Sequence, residues 1–259
     1  MPILTTSYIL GAFLIFVRVG SLIMTAPFFN TASFPRRVKL FFALITSFLL
    51  TFIIPEESVM MPLNTEIPFL LTAIVLEALV GIAMGLVGQL VFAGIEMAGQ
   101  LISLKITLSF AQIVNTMTQQ QSDLIGNLFS MLAILVFLAM EGDKIYLQAV
   151  ARSFELIPLY QADLQQAGPF MLEVAKYLFV IAVQISAPFL IVLFILDLAL
   201  AIFARVMPQA NILFLAIPIK LGLGFILLSW MMPYMPDAFE MIFRKLFKYL
   251  EQVLGIIAP

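Results

Sequence analysis

The sequence predicts an all-α integral membrane protein, and three observations carry that reading. Hydrophobic residues make up 63% of the chain and charged residues 11%, with a mean hydropathy of +1.13. Soluble domains run at about 45–50% apolar and about 25% charged, so no soluble core accounts for the surplus. The apolar residues also gather into runs near the roughly 20 residues that cross ~30 Å of hydrocarbon. The loops between them are sided in charge: Arg36, Arg37 and Lys39 follow the first run, whereas Glu56, Glu57 and Glu66 follow the second without a single base. Lysine and arginine in short loops mark the cytoplasmic side, so the first loop is expected inside and the second outside.

Six apolar runs are expected as helices. The first extends from about Tyr8 to Phe29 and contains Arg18. The second, Leu40 to Ile54, is short and stops at Pro55. The third, Ile67 to Gly99, is overlong and as one helix would extend roughly 50 Å. Leu124 to Met140 forms the fourth, Tyr177 to Ala204 with Asp197 the fifth, and Ile212 to Met232 with Pro218 and Lys220 the sixth. After these, Phe239, Ile242, Phe243, Leu246, Leu250 and Val253 fall on one face of an amphipathic C-terminal helix. The start, MPILTTSYIL, lacks the positive n-region of a signal peptide, so the first run is expected to be retained. Six crossings would put the C-terminal helix outside, where Arg244, Lys245 and Lys248 do not belong. Either one run does not cross, or the bundle is not a conventional one.

Several function classes are excluded or weakened. The chain has no cysteine and no histidine, which removes thiol chemistry, the usual general base and the commonest metal ligand. No cofactor or metal site is expected. A formal net charge of −2 supplies no basic field for nucleic acid. Glu56 and Glu57 read as a solvated loop, and no nucleophile–base pair emerges, so the chain is not expected to be an enzyme.

Ionisable residues embedded in apolar runs are the informative ones: Arg18, Glu77, Glu96, Asp197 and Lys220. Each costs about 2.5–3.5 kcal/mol at a helix centre, so each should face protein or water. In the third run, Glu77, Gly81, Gly85, Gly88, Gln89, Glu96, Gly99 and Gln100 fall at helical spacing. Small residues allow close helix approach and polar ones hydrogen-bond across the contact. Packing inside one bundle explains the stripe; a subunit interface or a wet path is the alternative.

Residues 100–123 are rich in Thr, Ser and Gln yet include Thr107, Leu108, Phe110, Ile113, Val114 and Met117. Lipid would leave such a segment's polar groups unsatisfied, so it lies in water or lines a cavity. It reads as a solvated loop or as one that plugs or gates something.

The stretch RVMPQANILFLAIPIK, residues 205–220, places a turn at Pro208, which cannot continue a helix and pushes its predecessor out of the α region. Runs five and six then form a hairpin. Asp197 and Lys220 lie equally far from the midpoint between Pro208 and Gln209, so antiparallel helices bring them to one depth as an ion pair. Arg205, Gln209 and Asn211 crown the tip, facing water or a partner.

The spacing of Arg205, Pro208, Gln209, Asn211, Pro218, Lys220 and Gly222 resembles the signature of the FliR/SctT family of type III export-gate proteins. The resemblance extends over almost the whole chain. It includes RVGSLIMTAPFFNTASFPRRVKL with Arg18, Pro27 and Pro35, VLEALVGIAMG with Glu77 and Gly81, and AGQLIS with Gly99 and Gln100. AVARSFELIPL, with Ser153, Phe154 and Pro158, is similar as well. Two places depart from the family pattern: LSFAQIVNTM stands where many relatives carry G-F and D-P, and Gly142, Asp143 and Lys144 replace a G-H-H.

The resemblance implies a core subunit of the flagellar export gate, built of helical hairpins in a helical assembly with FliP and FliQ and wrapped by FlhB. Residues 1–172 would be a FliP-like part, 173–235 a FliQ-like hairpin and 236–259 the C-terminal helix. The loop near 105–122 would plug the closed pore through which unfolded flagellar proteins leave, at the flagellar basal body in the inner membrane. Such an assembly stands raised from the membrane plane, which would dissolve the topology conflict. An injectisome gate subunit is the nearest alternative. A small-molecule secondary transporter with helices broken at Pro188 and Pro218 is another, from a different class. Arg18 to Lys39 and Arg205 to Lys220 do share an R…P…N…P…K order, but their spacings differ. An intramembrane hydrolase would need a nucleophile–base pair that the sequence lacks.

Overall fold

A computed structural model describes residues 6–27, 29, 35–54, 66–106, 123–209 and 211–259. Every regular element among these residues is helical: α1 (Thr6–Thr25), α2 (Arg36–Ile53), α3 (Ile67–Lys105), α4 (Leu124–Ala139), α5 (Gly142–Leu156), α6 (Ala167–Val206), α7 (Ile212–Met231) and α8 (Met235–Ile257). A single 3-10 turn, Met232–Tyr234, joins α7 to α8. The all-α membrane fold expected from composition is the one observed.

The number of membrane-crossing elements departs from the expectation of six. Four helical stretches among the described residues are long and apolar enough to cross: Ser7–Thr25, Ile67–Lys105, Ala167–Val206 and Phe214–Ile257. A fifth arises if α4 and α5, bent by 67° at a short break, act as one span. The physical reasons are local. α2 opens on Arg36 and Arg37 and carries Lys39, too many charges for so short a helix. α4 stops at Met140 because Glu141 takes a left-handed conformation, φ 57°, which a following helix cannot share. The sixth run and the C-terminal helix meet at a single 3-10 turn, so they form one long apolar stretch.

α5 was not foreseen as a helix of its own. Its sequence, GDKIYLQAVARSFEL, is far less apolar than its neighbours. It buries one face through Tyr146, Val150, Ser153 and Phe154. The fifth run likewise begins earlier than expected, at Ala167, and keeps Pro188 inside a 40-residue helix. Membrane helices tolerate an internal proline where neighbouring helices, Ser/Thr side chains or local backbone adjustments satisfy the freed backbone group.

The chain divides into two compact units. Unit 1 comprises residues 1–90, 141–175 and 244–259, and unit 2 comprises 91–140 and 176–243. The core of unit 1 is aliphatic, with Leu14, Ile15, Val19, Val80, Met84, Val87, Leu246 and Val253 almost inaccessible. The backbone N–H of Asp163 donates to the Ile257 carbonyl at 3.0 Å, tying the irregular stretch after α5 to the end of the chain. Unit 2 is held by aromatic side chains. Phe92, Phe137 and Phe243 meet pairwise with ring centroids 5.1–5.5 Å apart, and Phe129 packs edge-on against Phe239 at 6.0 Å. Such pairs add about 0.5–1.5 kcal/mol beyond their area.

Candidate functional site

Two charged centres and one close-packed helix contact account for most of the polar residues singled out by the sequence. The first centre lies in unit 1. Arg18 on α1 is 1% exposed and Glu77 on α3 is wholly buried. Arg18 Nε donates to Glu77 Oε2 at 2.5 Å and Nη2 to Oε1 at 3.1 Å, a bidentate pair. The remaining guanidinium donors are also used. Nη1 donates to the Ser153 carbonyl at 3.0 Å and Nη2 to the Ile157 carbonyl at 3.1 Å. The Phe154 ring lies 4.3 Å beneath the guanidinium carbon, a cation–π contact.

Glu77 in turn accepts from the backbone N–H of Tyr160 at 2.9 Å. Tyr160 itself has φ 59°, a left-handed conformation that a bulky residue rarely adopts without compensation. Here the hydrogen bond to the carboxylate and the edge-on contact of its ring with Phe69, 5.5 Å between centroids, supply it. The centre therefore joins α1, α3, α5 and the turn after α5 in one network, with each ion neutralised and hydrogen-bonded. A buried pair is tolerated on those terms.

The glycine stripe next to it is an internal contact. A Cβ at Gly81 would fall 2.0 Å from Ser21 Oγ and 2.2 Å from the Arg18 carbonyl oxygen. One at Gly85 would fall 1.8 Å from Thr25 Oγ1. Gly88 admits the Tyr146 hydroxyl. At these three positions the alternative of a subunit interface is corrected: α1 and Tyr146 of the same chain fill the space. Further along α3, in unit 2, Gly99 lies against the backbone of Gly126, with a Cβ placed 2.6 Å from Gly126 Cα. Asp123 caps α4 there by accepting from the Gly126 N–H at 2.7 Å, and it also accepts from Ser103 Oγ. Gln89 is half-buried, whereas Glu96 and Gln100 are exposed on the chain and meet each other at 3.4 Å.

The second centre lies in the hairpin of unit 2. α6 ends at Val206, Pro208 and Gln209 turn, and α7 starts at Ile212. Lys220 Nζ stands 2.5 Å from Asp197 Oδ1, with side chains 18% and 33% exposed. The ion pair expected from their equal distance to the turn is formed. Proline 218 inside α7 does not carry Lys220 out of register. Arg205, Pro208, Gln209 and Asn211 are exposed at the tip. We expect Asp197→Asn and Lys220→Met each to destabilise the hairpin, and the double change to recover part of the loss. The coupling should be about 1–3 kcal/mol, between that of an exposed pair and a buried one. A double-mutant cycle of detergent-solubilised unfolding checks it; zero coupling would mean the contact is incidental.

Thr107, Leu108, Phe110, Ile113, Val114 and Met117 lie outside the described residues, as do Glu56 and Glu57. Sequence reasoning placed Arg18 and Glu77 inside protein but did not pair them. Nor did it assign the Ser153 and Ile157 carbonyls, the Phe154 ring or the Tyr160 N–H as partners. One signal was available: an arginine and a glutamate, each embedded in an apolar run, have no cheaper place than against one another.

An all-α membrane protein with long helices and ion pairs set inside its apolar segments is the class that this fold and these centres define. A family model described as bacterial export proteins, family 1, matches residues 9–246. The flagellar biosynthetic protein FliR of Escherichia coli (strain K12) is 30% identical over 240 residues, covering 92% of this chain and 90% of that protein. FliR of Caulobacter vibrioides is 29% identical over 219 residues, with 84% and 86% covered. FliR of Bacillus subtilis (strain 168) is 28% identical over 250 residues, with 94% of each covered. The chain belongs to the bacterial export proteins of family 1, within the FliR family of flagellar export components.

Proposed function

We propose that the chain is a core subunit of the flagellar type III protein export gate in the bacterial inner membrane. It helps form and close the pore through which unfolded flagellar proteins pass. FliP, FliQ and FlhB are its partners, and it is divided into a FliP-like part (1–172), a FliQ-like hairpin (173–235) and the C-terminal helix. The observation that carries this reading is apolar surface. Phe48, Phe52 and Ile53 on α2 and Ile191, Ile195, Ile202, Phe214, Ile226 and Trp230 on the hairpin are all more than half exposed on the single chain. Patches of that extent are covered by protein or lipid. α3 and α6, of 39 and 40 residues, are each nearly twice as long as ~30 Å of hydrocarbon requires. Subunits stacked on one another cover such helices; a lone chain in a flat bilayer does not.

Residues 105–122 act in this reading as the plug. Their mixture of Thr, Ser and Gln with Leu108, Phe110, Ile113, Val114 and Met117 suits a segment facing a closed channel. Co-expression with the three partners should yield one large complex of fixed ratio by native mass spectrometry, where a carrier would give a monomer or dimer. Shortening residues 107–122 should raise small-ion leakage across the membrane while leaving that complex intact. Normal assembly with unchanged leakage would retire the plug.

A further inference from the structure

An apolar cleft of about 280 Å³ opens in unit 1 beside the first turn of α2, lined among others by Val19, Leu22, Ile23, Lys39 and Tyr146. Val38 and Leu147 stand at its rim, 47% and 43% exposed. Lys39 is the anomaly. It is only 8% exposed, and a buried cation without a counter-ion is costly. Yet it belongs to none of the ion pairs among the described residues, which join Arg18 to Glu77, Lys144 to Glu141, Arg152 to Glu251 and Lys220 to Asp197. Asp143 also lines the cleft, from α5, without pairing with it.

The end of α2 adds to the same field. Its first turn carries Arg36 and Arg37, both exposed, and no acid, and Pro35 provides no side-chain cap. The helix dipole places further positive charge at that terminus. Three cations therefore crowd the end of a helix that disfavours them, beside a greasy cleft that the buried Lys39 lines. A small free anion would satisfy the charge and leave the cleft unfilled. A hydrocarbon chain would do the reverse.

We propose that this cleft binds an anionic phospholipid, with the headgroup phosphate on Lys39 between Arg36 and Arg37 and part of one acyl chain in the cleft. The basic loop is the one whose Lys/Arg content marks the cytoplasmic side, and basic pockets between helices on that side hold acidic headgroups. The inference goes beyond the export-gate reading and depends only on the chain's residence in a membrane.

The test uses the full-length chain in a neutral detergent, mixed with phosphatidylglycerol or with phosphatidylcholine of the same acyl chains. Lipid retained after washing is counted by native mass spectrometry. Phosphatidylglycerol should be retained about fivefold more, the scale of one basic residue's attraction to an acidic headgroup. Lys39→Met should reduce it to the phosphatidylcholine level, whereas Lys39→Arg should keep it. Leu147→Trp, which narrows the cleft from its exposed rim, should lower retention with Lys39 intact. Equal retention of the two lipids by the unaltered chain overturns the proposal, and so does an undiminished preference in Lys39→Met. Where Lys39→Met does not fold, full retention by Leu147→Trp overturns it.

Discussion

Replacing Glu77 with Gln, or Arg18 with Met, is expected to cost about 3–5 kcal/mol of stability, the typical result of removing one partner of a buried ion pair. The cause is the ion left behind. Arg18 without a carboxylate at position 77 keeps its charge at 1% exposure, with uncharged partners alone, among them the Ser153 and Ile157 carbonyls, the Ser153 hydroxyl and the Phe154 ring. Glu77 without Arg18 keeps the Tyr160 N–H alone. A loss of that size lowers a thermal midpoint by on the order of 10 °C in a chain of this length, readable from detergent-solubilised unfolding. Replacing both residues by Met should cost less than either single change, since two apolar side chains of similar volume leave no uncompensated charge. Glu77→Gln with an unaltered midpoint would show that the network carries little of the fold's stability.

Alanine at Gly81 should be nearly as damaging, although it adds one methyl group. The new Cβ would meet the Arg18 carbonyl oxygen at 2.2 Å, an atom fixed in the α1 backbone just above the ion pair. Overpacking of this kind costs about 1–3 kcal/mol or more. Ser21→Ala should not rescue it, because removing the Ser21 hydroxyl leaves the backbone oxygen in place. Gly99→Ala should behave similarly in unit 2, where the obstacles are backbone atoms of Gly126 and the Ile125 carbonyl. Gly222 is the control. Although part of the family signature, it is exposed and has nothing within 4 Å of a Cβ. Gly222→Ala should leave unfolding unchanged or gain up to about 1 kcal/mol from helix propensity. If the three alanine variants unfold alike, close helix approach is not what the buried glycines provide.

The hairpin shows how far local rules reach. Pro208 stops α6 whatever surrounds it, and with both helices antiparallel the equal chain distances of Asp197 and Lys220 carry the two charges to one level. That inference uses helix rise and proline sterics alone, so the pair was legible before any coordinates. The Arg18–Glu77 pair was not, because the two residues lie on α1 and α3, which are separated in the chain by α2 and whose register no local rule sets. Its other partners, Ser153, Ile157 and Tyr160, sit in a segment with neither strong periodicity nor strong hydropathy. The break at Glu141 was equally hidden: glutamate has no preference of its own for the left-handed conformation it takes there.

By itself, then, the sequence determined that this chain is helical, lives in a membrane and must turn five embedded charges toward protein or water. Those conclusions rest on composition, run length and transfer cost, which are sums over residues and do not depend on who neighbours whom. Only the tertiary structure decided that Arg18 is neutralised by Glu77, that Gly81 and Gly85 serve α1 of the same chain, and that α7 and α8 join in one long apolar stretch. The reason is the same in each case. Van der Waals contact and ion pairing fall off within a few ångströms, so they are settled by how helices distant in sequence are set against one another.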